Sequence, residues 1–290
     1  MKKNILLLFL FSTIQICFSQ SSNDKSAFNV KYYDAKDKWV IFPKKATDSI
    51  HPFGFIYLDL QAGFTFNYEG SVQIDNNGKF KLYNKSNEGF TKVRLEPYKT
   101  ASVFIIPDKI VENFELQIKP EWLTIYQPSN PESIQTLKDY GYHYNHVGAC
   151  EKALTFLEKA YKINPHFDGL EFELAYAYNH LGQYEKAIPV LDKAISNNPK
   201  NYYFFRELGF AYVKQNKISL AEKTYQKGIK MSDNDFEKSE MALNMAQGYF
   251  KLKDRKKFDE WAKITRQYAK PNSQYAQYID MFEKEWDSSR

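Results

Sequence analysis

His143 and His146 stand three residues apart, close enough on a helix to put two imidazoles on neighbouring turns where a metal ion could use them. No Cys or carboxylate follows at ligand spacing, so the pair alone makes no metal site. Asp75-Asn76-Asn77-Gly78 has the polar start of a calcium loop. It lacks the alternating oxygen ligands and the distal Glu, and a tight turn accounts for it better. Gly-rich phosphate loops, nucleophile elbows and paired-cysteine motifs do not occur. The residue types that do chemistry form no catalytic constellation. No enzyme activity, cofactor or metal is expected.

Binding has more material to work with. The 290 residues include 23 Phe and 22 Tyr, and 43% of the chain is hydrophobic, enough to bury a sizeable core. Two cysteines are too few for a disulfide framework, and the aromatic content excludes a disordered chain. The net charge of +5 includes Lys2 and Lys3 at the extreme N-terminus. Neither half of the remainder is strongly basic, so no general phosphate-binding surface is expected and nucleic acid is not a partner.

The first segment reads as an address. Met1-Lys2-Lys3-Asn4 is a basic start, followed by the apolar run from Ile5 to Phe11 and a weaker tail to Phe18, with small Ser19 before Gln20. This is the pattern of a signal peptide spanning 1–19. The run is too short and interrupted to span a bilayer comfortably, so no integral membrane segment is expected after cleavage. Ile16 stands before Cys17 where a lipidated cysteine is normally preceded by a small residue, which disfavours a lipid anchor. The expected location is the periplasm, ahead of secretion or lipid anchoring.

The second half repeats every 34 residues. Ala153, Ala187 and Ala221 coincide, as do Tyr144, Tyr178 and Tyr212, and Gly141, Ala175 and Gly209. Gly148 matches Gly182, and Asn164-Pro165 matches Asn198-Pro199. Each unit holds two helix-length apolar stretches split by a short turn. A 34-residue helix–turn–helix with these residues resembles the tetratricopeptide repeat (TPR) family. The resemblance covers about 131–270, as units 131–164, 165–198, 199–232 and a degenerate 238–270, closed by a capping helix over 273–287. It implies an all-α superhelix, with the small residues at helix contacts and the tyrosines filling the space between. Cys150 shares a repeat position with Tyr184 and Ile218, which predicts a buried thiol.

In proteins resembling this one the first helix of each unit lines a concave groove that holds a peptide or a partner helix. Aligned on that pattern, the first unit offers Lys138, Tyr142, Asn145 and His146, and the second Phe172, Tyr176, Asn179 and His180. The third offers Tyr203, Arg206, Phe210 and Lys214, and the fourth Gln247, Phe250 and Lys251. Rings beside amides and cations suit a peptide ligand, although interface rings and core rings look alike in sequence. The carboxylate clamp that some family members use on a chaperone C-terminus is not expected. Lys138 and Arg206 fit it, but Tyr142 and Glu173 stand in place of its asparagines.

Residues 25–126 show no such period. Trp39–Phe42, Phe55–Leu58, Phe64–Tyr68, Val72–Ile74, Phe80–Leu82, Val93–Leu95, Val103–Ile106, Phe114–Ile118 and Trp122–Tyr126 read as short strands. The turn at Asp75–Gly78 predicts a hairpin. A small β-sandwich or β-barrel follows, joined to the repeats by a linker over 127–131, with Asn130 as N-cap and Pro131 first in the helix. The fold expected is thus multidomain, a β unit followed by an α superhelix. The functional expectation is an exported, non-enzymatic protein whose groove binds a protein or peptide, as part of a bacterial envelope complex. The alternative is a glycan-binding or enzymatic β-domain on a helical mount, with Trp39, Tyr57 and Phe66 as a stacking face.

Overall fold

The computed structural model describes residues 28–75, 79–86, 91–96 and 102–288; the segment expected to be a signal peptide, with Cys17, and Asn76–Gly78 of the expected turn lie outside the described residues. The chain divides into two compact units between Ser129 and Asn130.

The N-terminal unit is built on one antiparallel sheet. Its strands are β1 (Lys38–Ile41), β2 (His51–Asp59), β3 (Gly63–Ile74), β4 (Phe80–Lys85), β5 (Thr91–Arg94) and β6 (Phe104–Ile105). The order is β4-β3-β2-β1-β6, and β5 pairs with the half of β3 that β4 leaves free. The hairpin between β3 and β4 pairs Ile74 with Phe80, and the Asp75 carboxylate accepts the Lys79 N–H at 2.8 Å.

Alternation along β2 sends Phe53, Phe55 and Tyr57 to one face, where they pack with Trp39, Val72, Val111, Phe114 and Leu123. That face is covered by helix α1 (Asp108–Asn113) and a 3-10 helix over Glu121–Tyr126. Trp39 Nε1 donates to the Gln117 carbonyl at 2.9 Å, and Lys92 of β5 bonds to the Tyr126 hydroxyl.

Three expectations are corrected here. The sheet is open and its buried face is covered by helices, so the described residues make neither a closed β-barrel nor a β-sandwich. Phe114–Ile118 and Trp122–Tyr126 are not strands. Trp122, Leu123 and Tyr126 sit at helical spacing behind Pro120, whose ring pre-sets φ for a helical start. Finally, Trp39 and Tyr57 are 5% and 1% exposed, and Phe66 pairs with Ile56 on the opposite face at 6%. These three rings are core and form no common stacking surface.

The C-terminal unit is all helix: α2 (Ile134–His146), α3 (Cys150–Ile163), α4 (Leu170–His180), α5 (Tyr184–Asn197), α6 (Tyr202–Lys214), α7 (Ile218–Met231), α8 (Asp235–Leu252), α9 (Arg255–Tyr268) and α10 (Gln274–Ser288). The first helix begins at Ile134 instead of Pro131, because Ser133 is the cap: its Oγ accepts the Thr136 N–H at 3.2 Å. The second helices α3, α5 and α7 start at Cys150, Tyr184 and Ile218, 34 residues apart. Each intervening turn needs one residue at positive φ: Gly148 (77°), Gly182 (72°), Asn216 (59°) and, in the fourth pair, Lys253 (59°). From one second-helix start to the next the fourth pair is three residues longer than the others (Ile218 to Arg255 is 37), and α8, of 18 residues, begins at Asp235 where 238 was expected.

The small first-helix residues face bulk across the pair. A Cβ on Gly141 would lie 2.3 Å from Leu157, and one on Gly209 would lie 2.4 Å from the Tyr225 ring. Ala153, Ala187 and Ala221 are fully buried. Where the fourth pair should have that alanine it has Phe258, also fully buried, among Phe250, Phe282 and Trp286 from α8 and α10. A last pair without a following neighbour is closed by rings instead. Cys150 is buried, and burial followed by the Glu173 charge pushes its thiol up to about 11, so it is inert packing.

Gly209→Ala should lower helical-unit stability by about 1–3 kcal/mol, because the fully buried Tyr225 ring has no free space to enter. Circular-dichroism melts at 222 nm check it; an unchanged midpoint would show that the ring can move aside.

Candidate functional site

The first helices α2, α4, α6 and α8 pack in series, which brings equivalent positions side by side. One pair of positions recurs as a ring and a basic residue one turn later. Tyr142 stacks on His146 with centroids 6.1 Å apart, Tyr176 on His180 at 6.0 Å, and Lys214 Nζ lies 5.0 Å from the Phe210 ring. Tyr142 is 43% exposed, His146 and His180 are exposed, and Tyr176, Phe210 and Lys214 are half-buried. Lys251 continues the basic column on α8, behind half-buried Gln247. Burial and then the charge of Lys251 push the Lys214 ammonium below its ordinary value, and burial does the same to Lys251.

The asparagines of the expected site are placed differently. Asn145 and Asn179 are each 3% exposed. Asn145 Nδ2 donates to the Glu173 carbonyl (2.9 Å) and carboxylate (2.8 Å), and Asn179 Nδ2 donates to the Glu207 carbonyl (3.0 Å) and carboxylate (2.9 Å). They are struts between successive units, and their NH2 groups are committed to the neighbouring helix. Both ends of this strut recur at 34 residues, so the pairing was available as a sequence signal in Glu173 and Glu207.

Arg206 is a second internal node. Its guanidinium lies 5.4 Å from the Phe172 ring centroid and 5.3 Å from that of Tyr203, which bridges α4 and α6. It bonds Glu207 (3.0 Å) and Glu237 (2.6 Å) and lies 3.8 Å from Glu240. Burial works against its charge, but Glu207, Glu240 and Glu237 together hold it well above its usual value. Lys138 lies 3.5 Å from Asp139 and 5.9 Å from the Phe167 ring. Arg206 is therefore held by carboxylates of its own chain, away from any clamp pairing with Lys138.

His143 is buried while His146 is exposed, so the two imidazoles do not share a face. No group of three or more His, Cys, Asp or Glu side chains able to hold a metal ion occurs among the described residues. No helix among them is long and apolar enough to cross a membrane. What remains is a ring beside a basic residue on α2, α4 and α6, with Gln247 and Lys251 at the corresponding places on α8.

Comparison with known proteins gives one family-model match over part of the chain and a set of partial structural likenesses. The tetratricopeptide-repeat family model matches residues 147–203. Similar solved structures include MamA from Desulfovibrio magneticus RS-1 (18% identity, TM-score 0.43, 47% of this chain and 76% of that one). YrrB, described as a TPR protein with an unusual peptide-binding site, matches at 16% identity and TM-score 0.46, over 52% of this chain and 76% of its own. A thermophilic TPR protein from Thermus thermophilus matches at 19% and 0.41, over 46% and 73%. No curated protein matches the chain.

The Arg206 node has a pH signature. Burial, reinforced by Glu237 and Glu207 against the pull of Arg206, pushes the Glu240 carboxyl up to about 7 from 4.5. A raised folded-state pKa means that the folded state holds the proton longer, so this contribution is intact below about pH 4.5 and is lost as pH rises through about 7. Glu240→Gln should therefore stabilise the helical unit by on the order of 1 kcal/mol at pH 8 and by nothing at pH 4.5. Thermal melts at the two pH values check the difference; equal shifts would show that Glu240 is charged throughout.

Proposed function

We propose, for a chain that carries a tetratricopeptide-repeat domain over residues 147–203, a non-enzymatic role: it holds an extended peptide segment or helix of another protein along its first helices. The carrying observation is the ring-and-base pair at one repeat position in three successive units, Tyr142–His146, Tyr176–His180 and Phe210–Lys214. Of the tyrosines at the neighbouring repeated position, Tyr144 and Tyr178 are 6% and 7% exposed and Tyr212 is half-buried. Tyr142 is exposed, and Tyr176 and Phe210 keep part of their surface while packing beside Phe172 and Tyr184; partly exposed aromatic groups supply binding area at low entropic cost. The leader-like Met1–Ser19 segment supports an exported protein, and we place its partners in the bacterial envelope, with the periplasm as the working compartment.

Arg206 stabilises the stack of units, so a groove variant should avoid it. Tyr142→Ala with Tyr176→Ala should abolish co-purification of the native partner while leaving far-ultraviolet helicity and melting midpoint within experimental error of the parent. Undiminished co-purification from the same cells would overturn the groove reading.

A further inference from the structure

The second helices carry a pattern of their own. Two positions on their solvent side hold Glu151 and Glu158 on α3, and Glu185 and Asp192 on α5. The same repeat positions hold Ser219 and Gln226 on α7. On α9, counted from its start at Arg255, they hold Lys256 and Lys263. The charge at these places thus runs from acidic through neutral to basic along the array. Meanwhile Lys159 and Lys193 recur as Lys227, Thr155 and Pro189 give way to Lys223, and Lys162 and Ser196 give way to Lys230.

Helical spacing puts Lys223, Lys227 and Lys230 on one exposed face of α7, with Leu220 and Met231 at its two ends. Leu220 is 47% exposed and Met231 42%. Leu220 takes the position where Lys152 and Lys186 lie over the rings of Tyr144 and Tyr178. That exchange adds apolar surface to a face whose other changes all add positive charge. The carboxylates of α7 and α9 are engaged by other groups: Glu222 by Lys257, Tyr249 and Trp261, Asp259 by Arg255, and Glu260 by Lys257. The Lys257–Glu222 bond (3.1 Å) also ties α9 to α7, so the two basic faces adjoin.

This combination selects a ligand. Every base on the face is lysine, a compact point charge without the fork that reads a single carboxylate. Arg255 and Arg266 are held instead by carboxylates of α9 and α10. Lysine stems lie along apolar surface while their ammonium groups reach outward, and exposed leucine and methionine beside them suit a headgroup boundary. A soluble polyanion would use the lysines and leave Leu220 and Met231 in water.

We propose that the solvent face of α7, continued by Lys256 and Lys263 of α9, lies against an anionic lipid bilayer. Lys223, Lys227 and Lys230 meet phosphate headgroups, and Leu220 and Met231 enter the edge of the acyl layer. The face belongs to the second helices, so it is separate from the ring-and-base positions and does not rest on the groove reading.

The test uses the chain from Gln20 onward, so that the apolar run from Ile5 to Phe11 cannot insert on its own. Vesicles of equal parts phosphatidylglycerol and phosphatidylcholine should carry it down on sedimentation, and vesicles of phosphatidylcholine alone should not. Retention should fall with added salt. Lys223→Gln with Lys227→Gln and Lys230→Gln should weaken binding at least about tenfold. The same loss of charge on α3 and α5, as Lys159→Gln with Lys162→Gln and Lys193→Gln, should leave binding within error of the parent. Leu220→Ser with Met231→Ser should weaken it about fivefold and keep its salt dependence. Circular dichroism should show the parent helicity in every variant. Equal retention by both vesicles, none by the anionic ones, or equal losses in the two lysine triples would each overturn the proposal. Soluble polyglutamate bound as tightly as the vesicles, with the Leu220 and Met231 variant silent, would overturn it in favour of an acidic protein.

Discussion

The helical half depends on close approach within its pairs, and in the first and third a glycine on the first helix faces a large side chain on the second. Gly141 meets Leu157, and Gly209 meets the ring of Tyr225, each at a distance that leaves no room for a further carbon. A helix pair built this way approaches closely but cannot bury its outer apolar faces alone, so it must stack. Stacking then forces every pair into one register, because the next pair has to present its small residue at the same height. The left-handed turn residue, at Gly148, Gly182, Asn216 and Lys253, keeps that register from pair to pair. Adjacent helix residues point about 100° apart. Residues 142, 176 and 210 therefore turn to another side of the helix than the packing residues 141, 175 and 209. The contact that assembles the array also sets out the ladder.

Polar groups inside the stack follow the same register until the array ends. The Asn145–Glu173 and Asn179–Glu207 struts join first helices across unit boundaries. A buried carboxylate is expensive unless it is hydrogen-bonded, and an amide satisfies it without adding a charge. At the third boundary the asparagine position holds Val213, and Arg206 takes over, bonding Glu207 within α6 and Glu237 on α8. Farther out, Glu222 collects the Tyr249 hydroxyl, the Trp261 indole and the Lys257 ammonium from α8 and α9. Single amide struts give way to multi-partner carboxylate and guanidinium nodes where the helices lengthen and the repeat loses its period.

The repeats were legible because several weak signals coincide at a fixed interval, and neither propensity nor tertiary override disturbs an interval. The β unit had no such check. A run such as Trp122–Tyr126 is apolar under either period, and only Pro120 hinted that the helical one applies. Recurrence also has a limit that the site exposes. Asn145-His146 and Asn179-His180 repeat together, yet the asparagine is a buried strut and the histidine is exposed. Repetition marks a position as constrained without saying whether a neighbouring unit or a ligand imposes the constraint. The carboxylate partners of the asparagines, on the next unit, carried the missing half of that information.

The placement of the bases explains why each lies against a ring of its own helix. His146, His180, Lys214 and Lys251 all lie in the last turn of their helices, where the unpaired carbonyls favour a cation. Helical side chains lean toward the N-terminus, so each base leans over the residue four positions earlier. That geometry gives the near-parallel stacks of His146 on Tyr142 (23° between planes) and His180 on Tyr176 (28°). The stack covers one face of each ring with a polar group of its own helix, which lowers the drive for that ring to bury itself elsewhere. The three-residue lengthening of the fourth pair preserves the arrangement, because Lys251 remains one residue from the helix end at Leu252. Had the insertion entered the turn, Lys251 would have lost its place in the last turn of α8.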